Sequence, residues 1–156
     1  MAKQVSYWLM KSEPNTYSID DLKKDKKTIW DGVRNYQARN FMMKEMSLGD
    51  KVLFYHSNSK PSGVSGVAKV TREATPDPSA LDKKSKYYDS EASKEKPIWF
   101  CVEVGFDKKL KRVVSLEEIK NVSALSKMLL VKKGMRLSIQ PVEKKEFELI
   151  CKLAEK

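Results

Sequence analysis

The segment Lys51–Ser57, KVLFYHS, is where the reading of the fold turns. On a two-residue period Val52 and Phe54 share one side, and Leu53 and Tyr55 share the other. Both sides are apolar, so the segment reads as a strand covered on both faces, central in its sheet. Leu48-Gly49-Asp50 precedes it and NSKPSG, 58–63, turns the chain after it. VSGVAKVTREA, 64–74, reads as the next strand, with Gly66 marking a bend or a close backbone approach. IWFCVEVGF, 98–106, is the clearest strand. Phe100, Val102, Val104 and Phe106 alternate to one side, and Trp99, Cys101 and Glu103 to the other. Tyr7–Met10, YWLM, reads as a first strand, stopped by Pro14.

Short helices separate these strands. Ser18 caps SIDDLKKDK, with Asp20 and Asp21 in the first turn, where the helix dipole favours them. A second helix is expected from about Asn35, with Ala38, Phe41, Met42 and Met46 near helical spacing. Ser115 starts a short helix, with Glu118 placed to complete a capping box. A last helix is expected from Pro141, buried along Phe147, Ile150, Cys151 and Ala154. SALSKMLLVKK, 123–133, fits no single pattern. Pro76–Lys96 is polar and punctuated by proline, and reads as one long surface excursion with a helical turn at 79–81. Strands and helices without regular alternation imply an α+β domain. Strands rich in Val, Phe and Tyr imply a barrel or a strongly curled sheet, in a single domain over residues 1–156.

The 156 residues are 33% charged and 40% hydrophobic, which suits a folded globular chain. Lys plus Arg number 31 against 21 Asp plus Glu, a net charge of +10 that favours an anionic partner. No run approaches the roughly 18 apolar residues of a membrane span. The N-terminal sequence lacks a signal-peptide pattern, so no membrane partner is expected. Cys101 and Cys151 sit in apolar segments and read as reduced cysteines of an intracellular protein. That protein is expected to be a monomer, cytoplasmic or, in a eukaryote, nuclear. One histidine and two distant cysteines make no standard zinc site, so neither metal nor cofactor is expected.

Residues 30–40, WDGVRNYQARN, mix two aromatics with arginines, amides and an aspartate. Aromatic faces stack on bases, amides present paired donors and acceptors, and arginine grips phosphate. The same residues also read structurally, with Trp30 as a core anchor, Asn35 as a helix cap, and Arg34 and Arg39 as surface charges. Polar tips recur at strand ends in WLMKSEP, FYHSNS and MRLSIQP, where a ligand could enter a barrel mouth.

YWLMKSEP, WDGVRNYQARNFM, GDKVLFYHS, PDP and RLSIQP, in this order, resemble the EVE domain family over nearly the whole chain. The resemblance implies a PUA-like curled β-barrel flanked by short helices, close in architecture to YTH domains. It implies a reader of modified bases in DNA or RNA, methylated or hydroxymethylated, with the base extruded from the stack. Carried over by position, the base pocket draws on Trp8, Lys11, Ser12, Trp30, Val33, Asn35, Tyr36, His56, Ser57, Asn58, Arg136 and Ser138. Trp30 is expected as the stacking wall, with Asn35 or Ser12 reading a base edge. Arg34 and Arg39 are expected on phosphates. Two other classes compete. One is a small PUA-like enzyme using His56 and Ser57 with Glu13 or Asp31, although no nucleophile elbow, phosphate loop or metal pair supports catalysis. The other is a protein-interaction module caging a methylated lysine, which would want acidic rather than basic neighbours.

Overall fold

In the computed structural model, which describes residues 4–156, six strands form one mixed sheet. They are β1 (Tyr7–Ser12), β2 (Lys27–Ile29), β3 (Lys51–His56), β4 (Gly63–Pro76), β5 (Phe100–Ser115) and β6 (Ile139–Val142). Their spatial order is β2-β5-β4-β3-β1-β6. Only β1 and β3 run parallel, because the chain between them crosses back through helical segments. The remaining neighbours are antiparallel.

The two-sided strand does what its pattern requires. Val52 and Phe54 enter one apolar cluster, with Met10, Val102 and Val104. Leu53 and Tyr55 enter a second, with Leu9, Val64 and Leu110. The first is covered by α1 (Ile19–Asp25), through Ile19 and Leu22, and by α2 (Tyr36–Asn40), through Ala38. The second is covered by α3 (Leu116–Lys120) and α4 (Lys144–Ala154), through Ile119, Ile150 and Ala154. A fully buried Leu, Ile or Phe contributes about 1.5–3 kcal/mol, so the sheet is held from both faces. Among the described residues no helix is long and apolar enough to cross a membrane.

Local signals explain the element ends. Ser18 caps α1 through a reciprocal capping box with Asp21. Asn35 caps α2 by accepting from Ala38 N–H at 2.9 Å, and the helix continues as a π-helical turn over Phe41–Glu45. At Gly66 a Cβ would overlap Ile19 of α1, which accounts for the glycine in β4.

Several expectations need correction. The order ends at β2 and β6, which do not pair with each other, so hydrogen bonding draws no closed barrel among the described residues. The β4–β5 ladder carries four register shifts, and each such bulge bends the strand and adds twist. β5 runs past Phe106 to Ser115. Pro141 opens no helix; it lies in β6 opposite Trp8, tolerated because β6 is an edge strand. The capping box expected at Ser115 is half formed. Ser115 accepts from Glu118 N–H at 3.1 Å, but the Glu118 carboxylate turns to Arg112, at 2.7 and 2.9 Å.

Candidate base-binding concavity

On the α1–α2 face, a concavity of about 540 Å³ opens where β1 ends beside the signature loop. That volume suits a small-molecule or single-nucleotide ligand. Lys11 and Ser12 come from the end of β1, Trp30 to Arg34 from the signature loop, Tyr87 from the long excursion and Ser138 from the approach to β6. Two backbone bonds fix this arrangement. Lys11 N–H donates to the Ser138 carbonyl at 2.9 Å, and Trp30 N–H donates to the Val102 carbonyl at 2.8 Å. The Trp30 ring is half-buried and meets the Phe54 ring edge-on, with centroids 5.6 Å apart. The core thus holds one side of the indole while the residue also lines the concavity.

The loop owes its shape to Asp77, which is buried. Its carboxylate accepts from Gly32 N–H at 2.8 Å, Arg34 Nη1 at 3.2 Å, and Ser79 N–H and hydroxyl at 2.8 and 2.6 Å. Burial alone would raise the Asp77 pKa; the bonds from Ser79, Gly32 and Arg34 outweigh it and hold the group below its ordinary value. Arg34 also donates to the Tyr87 carbonyl through Nε and Nη2, at 3.1 and 2.7 Å. Its remaining partners are the Val33 carbonyl at 2.8 Å and the Ser79 hydroxyl at 3.1 Å. These bonds engage all five guanidinium N–H groups. Tyr87 is drawn onto Gly32, where a Cβ would stand 2.6 Å from its ring. Gly32 has φ +81°, which an L side chain resists.

Six of the expected residues gather here: Lys11, Ser12, Trp30, Val33, Arg34 and Ser138. Ser12 donates its hydroxyl to the Tyr17 carbonyl at 2.6 Å, leaving its oxygen to accept. Trp8 is elsewhere. It is buried in the core, and its indole N–H donates to Asp50 at 3.0 Å. Asn35 spends its side-chain oxygen on the α2 cap, and Tyr36 stacks on Trp99 outside the concavity, 4.9 Å between centroids. The His56 Nε2 accepts from Ile19 N–H at 3.1 Å, serving the start of α1. Ser57 N–H donates to the Ser12 carbonyl at 3.0 Å, and Asn58 Nδ2 donates to Glu13 at 2.6 Å. Arg136 is exposed and outside the lining. Arg34 is a clamp within the chain rather than a free phosphate donor. Arg39 bonds Asn40 and the Ile98 carbonyl and lies over the Tyr36 ring, 4.7 Å away.

Sequence reading missed Tyr17, Lys86 and Tyr87 in the lining. It also missed Asp77 behind the lining. One signal was present: in Pro76-Asp77-Pro78-Ser79 two prolines stiffen an Asx turn that closes on Ser79 N–H. Nothing in it pointed to a loop more than 40 positions away.

Comparison with known proteins gives the site its context. The EVE domain model matches residues 6–153. Human thymocyte nuclear protein 1 is 41% identical over 97% of this chain and 75% of its own length. A hypothetical protein from Leishmania major superimposes with TM-score 0.92 at 51% identity, covering 97% of this chain and 96% of that one. The structure of human thymocyte nuclear protein 1 in complex with 5-methylcytosine-containing DNA superimposes with TM-score 0.89 at 40% identity, covering 97% and 98%. A Zygosaccharomyces rouxii YTH domain shares the fold alone, with TM-score 0.56 at 18% identity over 99% of this chain and 87% of that one. With the signature loop, the two-sided sheet and near-complete coverage in agreement, the chain belongs to the EVE domain family.

Proposed function

We propose that this chain is a nucleic-acid-binding module that takes a modified base, of the methylated-cytosine class, out of the stack and into the concavity. The observation that carries the reading is the half-buried Trp30, braced by Phe54 from behind and lining a space of about 540 Å³. Such a ring can stack on a flat heterocycle without moving. The 40% identical human relative in complex with 5-methylcytosine-containing DNA supports the same reading. Lys86, exposed at the rim and lying over the Tyr87 ring at 5.0 Å, is the cation placed to meet phosphate.

Binding without turnover is part of the proposal. His56 spends Nε2 as an acceptor from Ile19 N–H, and burial lowers its pKa. The Cys101 thiol is pushed up to about 12, by burial first and then by Asp77 and Asp31, so it stays protonated and unreactive. A nucleic-acid partner makes the expected location intracellular.

The test is a titration of DNA and RNA oligonucleotides carrying one 5-methylcytosine, 5-hydroxymethylcytosine or methylated adenine, with unmodified controls. Trp30→Ala should cost about 1–3 kcal/mol of binding, the worth of one stacked base, and erase preference for the modified strand. Thermal melting checks that the variant is folded. A folded Trp30→Ala protein that kept both affinity and preference would defeat the reading.

A further inference from the structure

The polar groups of the concavity divide into those already spent and those not. Arg34 has every donor engaged. Glu13 accepts from Asn58 at 2.6 Å. Ser12 gives its proton to Tyr17. Asp31 lines the same space, next to Trp30; it is exposed, and its carboxylate meets its own backbone N–H but makes no hydrogen bond or ion pair with another side chain among the described residues. Lys11 contributes to the lining as well, but its ammonium turns toward the other face of the sheet, 5.8 Å from the centroid of Tyr55 in the second cluster. Beside Trp30 the site therefore offers an acceptor-only group open to a ligand.

We propose that Asp31 is the specificity-determining residue of the base site: its carboxylate accepts from the exocyclic amine of a cytosine-type ring stacked on Trp30. This rests on the base-binding reading above. The chemistry decides between ring types. The cytosine edge presents an amine donor, which matches a carboxylate acceptor. The thymine edge begins with a carbonyl oxygen where the amine stood, and would set an acceptor against the carboxylate. A methyl group at C5 is common to 5-methylcytosine and thymine, so the two differ at this edge alone. Partial burial, and then the negative Asp77, push the Asp31 carboxyl above its ordinary value, offset in part by its own backbone N–H and then by Arg34.

The experiment compares oligonucleotides with 5-methylcytosine, cytosine or thymine at one position, each opposite an abasic site so that no pairing energy differs. Wild-type protein should prefer 5-methylcytosine to thymine by on the order of tenfold or more, as one good base-edge contact provides. Asp31→Asn should bring that ratio close to one, since its amide presents a donor to the thymine carbonyl as readily as an acceptor to the amine. A wild-type ratio near one overturns the inference without any variant. So does a folded Asp31→Asn protein that keeps the wild-type ratio. Failure of the base-binding reading looks different: wild-type protein would then not distinguish 5-methylcytosine from cytosine, and Trp30→Ala would bind as tightly as wild type.

Discussion

Asp77 carries a carboxylate with 0% side-chain exposure and meets it with donors from three other groups: Gly32, Arg34 and Ser79. Removing one partner of a buried charged pair typically costs about 3–5 kcal/mol. The Arg34 side chain is 23% exposed, so Asp77→Asn should cost near the lower end, about 3 kcal/mol at neutral pH. The pH dependence has a definite sign. A carboxyl held below its ordinary value in the folded state stabilises the fold above its unfolded pKa of about 3.9. That contribution is lost as the pH falls through the folded value. The difference between wild type and Asp77→Asn should therefore narrow below about pH 4. Denaturant unfolding at pH 7 and pH 3 measures it; an undiminished gap at pH 3 would mean that the charge is not what Asp77 contributes.

The Trp30–Arg34 loop and, from the long excursion, Lys86 and Tyr87 line one side of the concavity together, so the two segments must be built together. Gly32 is their point of contact, with φ +81° and the Tyr87 ring where a Cβ would go. Gly32→Ala should destabilise the fold by at least about 1–2 kcal/mol, the cost of a left-handed L residue, with displacement of the Tyr87 ring adding to it. It should weaken binding by more than that, because Tyr87 must leave its place. Paired melting and binding curves test this; a binding loss no larger than the stability loss would show that the wall is not part of the site. The legibility of these elements in the sequence follows their physics. β3 announced itself because both of its faces bury apolar side chains. Trp30 and Ser12 were readable because an aromatic or hydroxyl at the end of an element is a local pattern. β2 was not readable, since Lys27–Ile29 offers three residues and no repeat. The role of Asp77 in the site was not, because Arg34 and Gly32 lie 43 and 45 positions away and only the turn onto Ser79 leaves a local trace. Trp8 misled for the opposite reason. Its neighbours suggested a polar strand tip, while a distant carboxylate, Asp50, fixed its indole inside the core.

Across the molecule, some of the 31 cations pair with some of the 21 anions, which leaves the net charge of +10 intact. Lys51 meets Asp107 at 2.9 Å, Lys109 meets Asp20 at 2.9 Å, and Arg112 meets Glu118 at 2.7 Å. Exposed pairs of this kind contribute about 0–1 kcal/mol each, so they shape the surface field more than they hold the fold. The concavity lies on the α1–α2 face, and α4 covers the opposite face of the sheet. Lysines on the two faces should therefore behave differently toward a nucleic acid seated at the site. Lys86 stands at its rim, whereas Lys152 is exposed on α4. Each phosphate contact steepens the fall of log affinity with log salt by about 0.7–0.9. Lys86→Ala should lower affinity for every sequence about equally and reduce that slope by about one. Lys152→Ala should leave it unchanged. Trp30→Ala should lower affinity while keeping the wild-type slope, because a ring face meets only the base. Titrations from about 50 to 200 mM salt, the range in which phosphate contacts dominate, separate these outcomes. Equal slope changes for Lys86→Ala and Lys152→Ala would mean that the nucleic acid is held by diffuse charge rather than across this face, and the concavity would lose its claim to orient it.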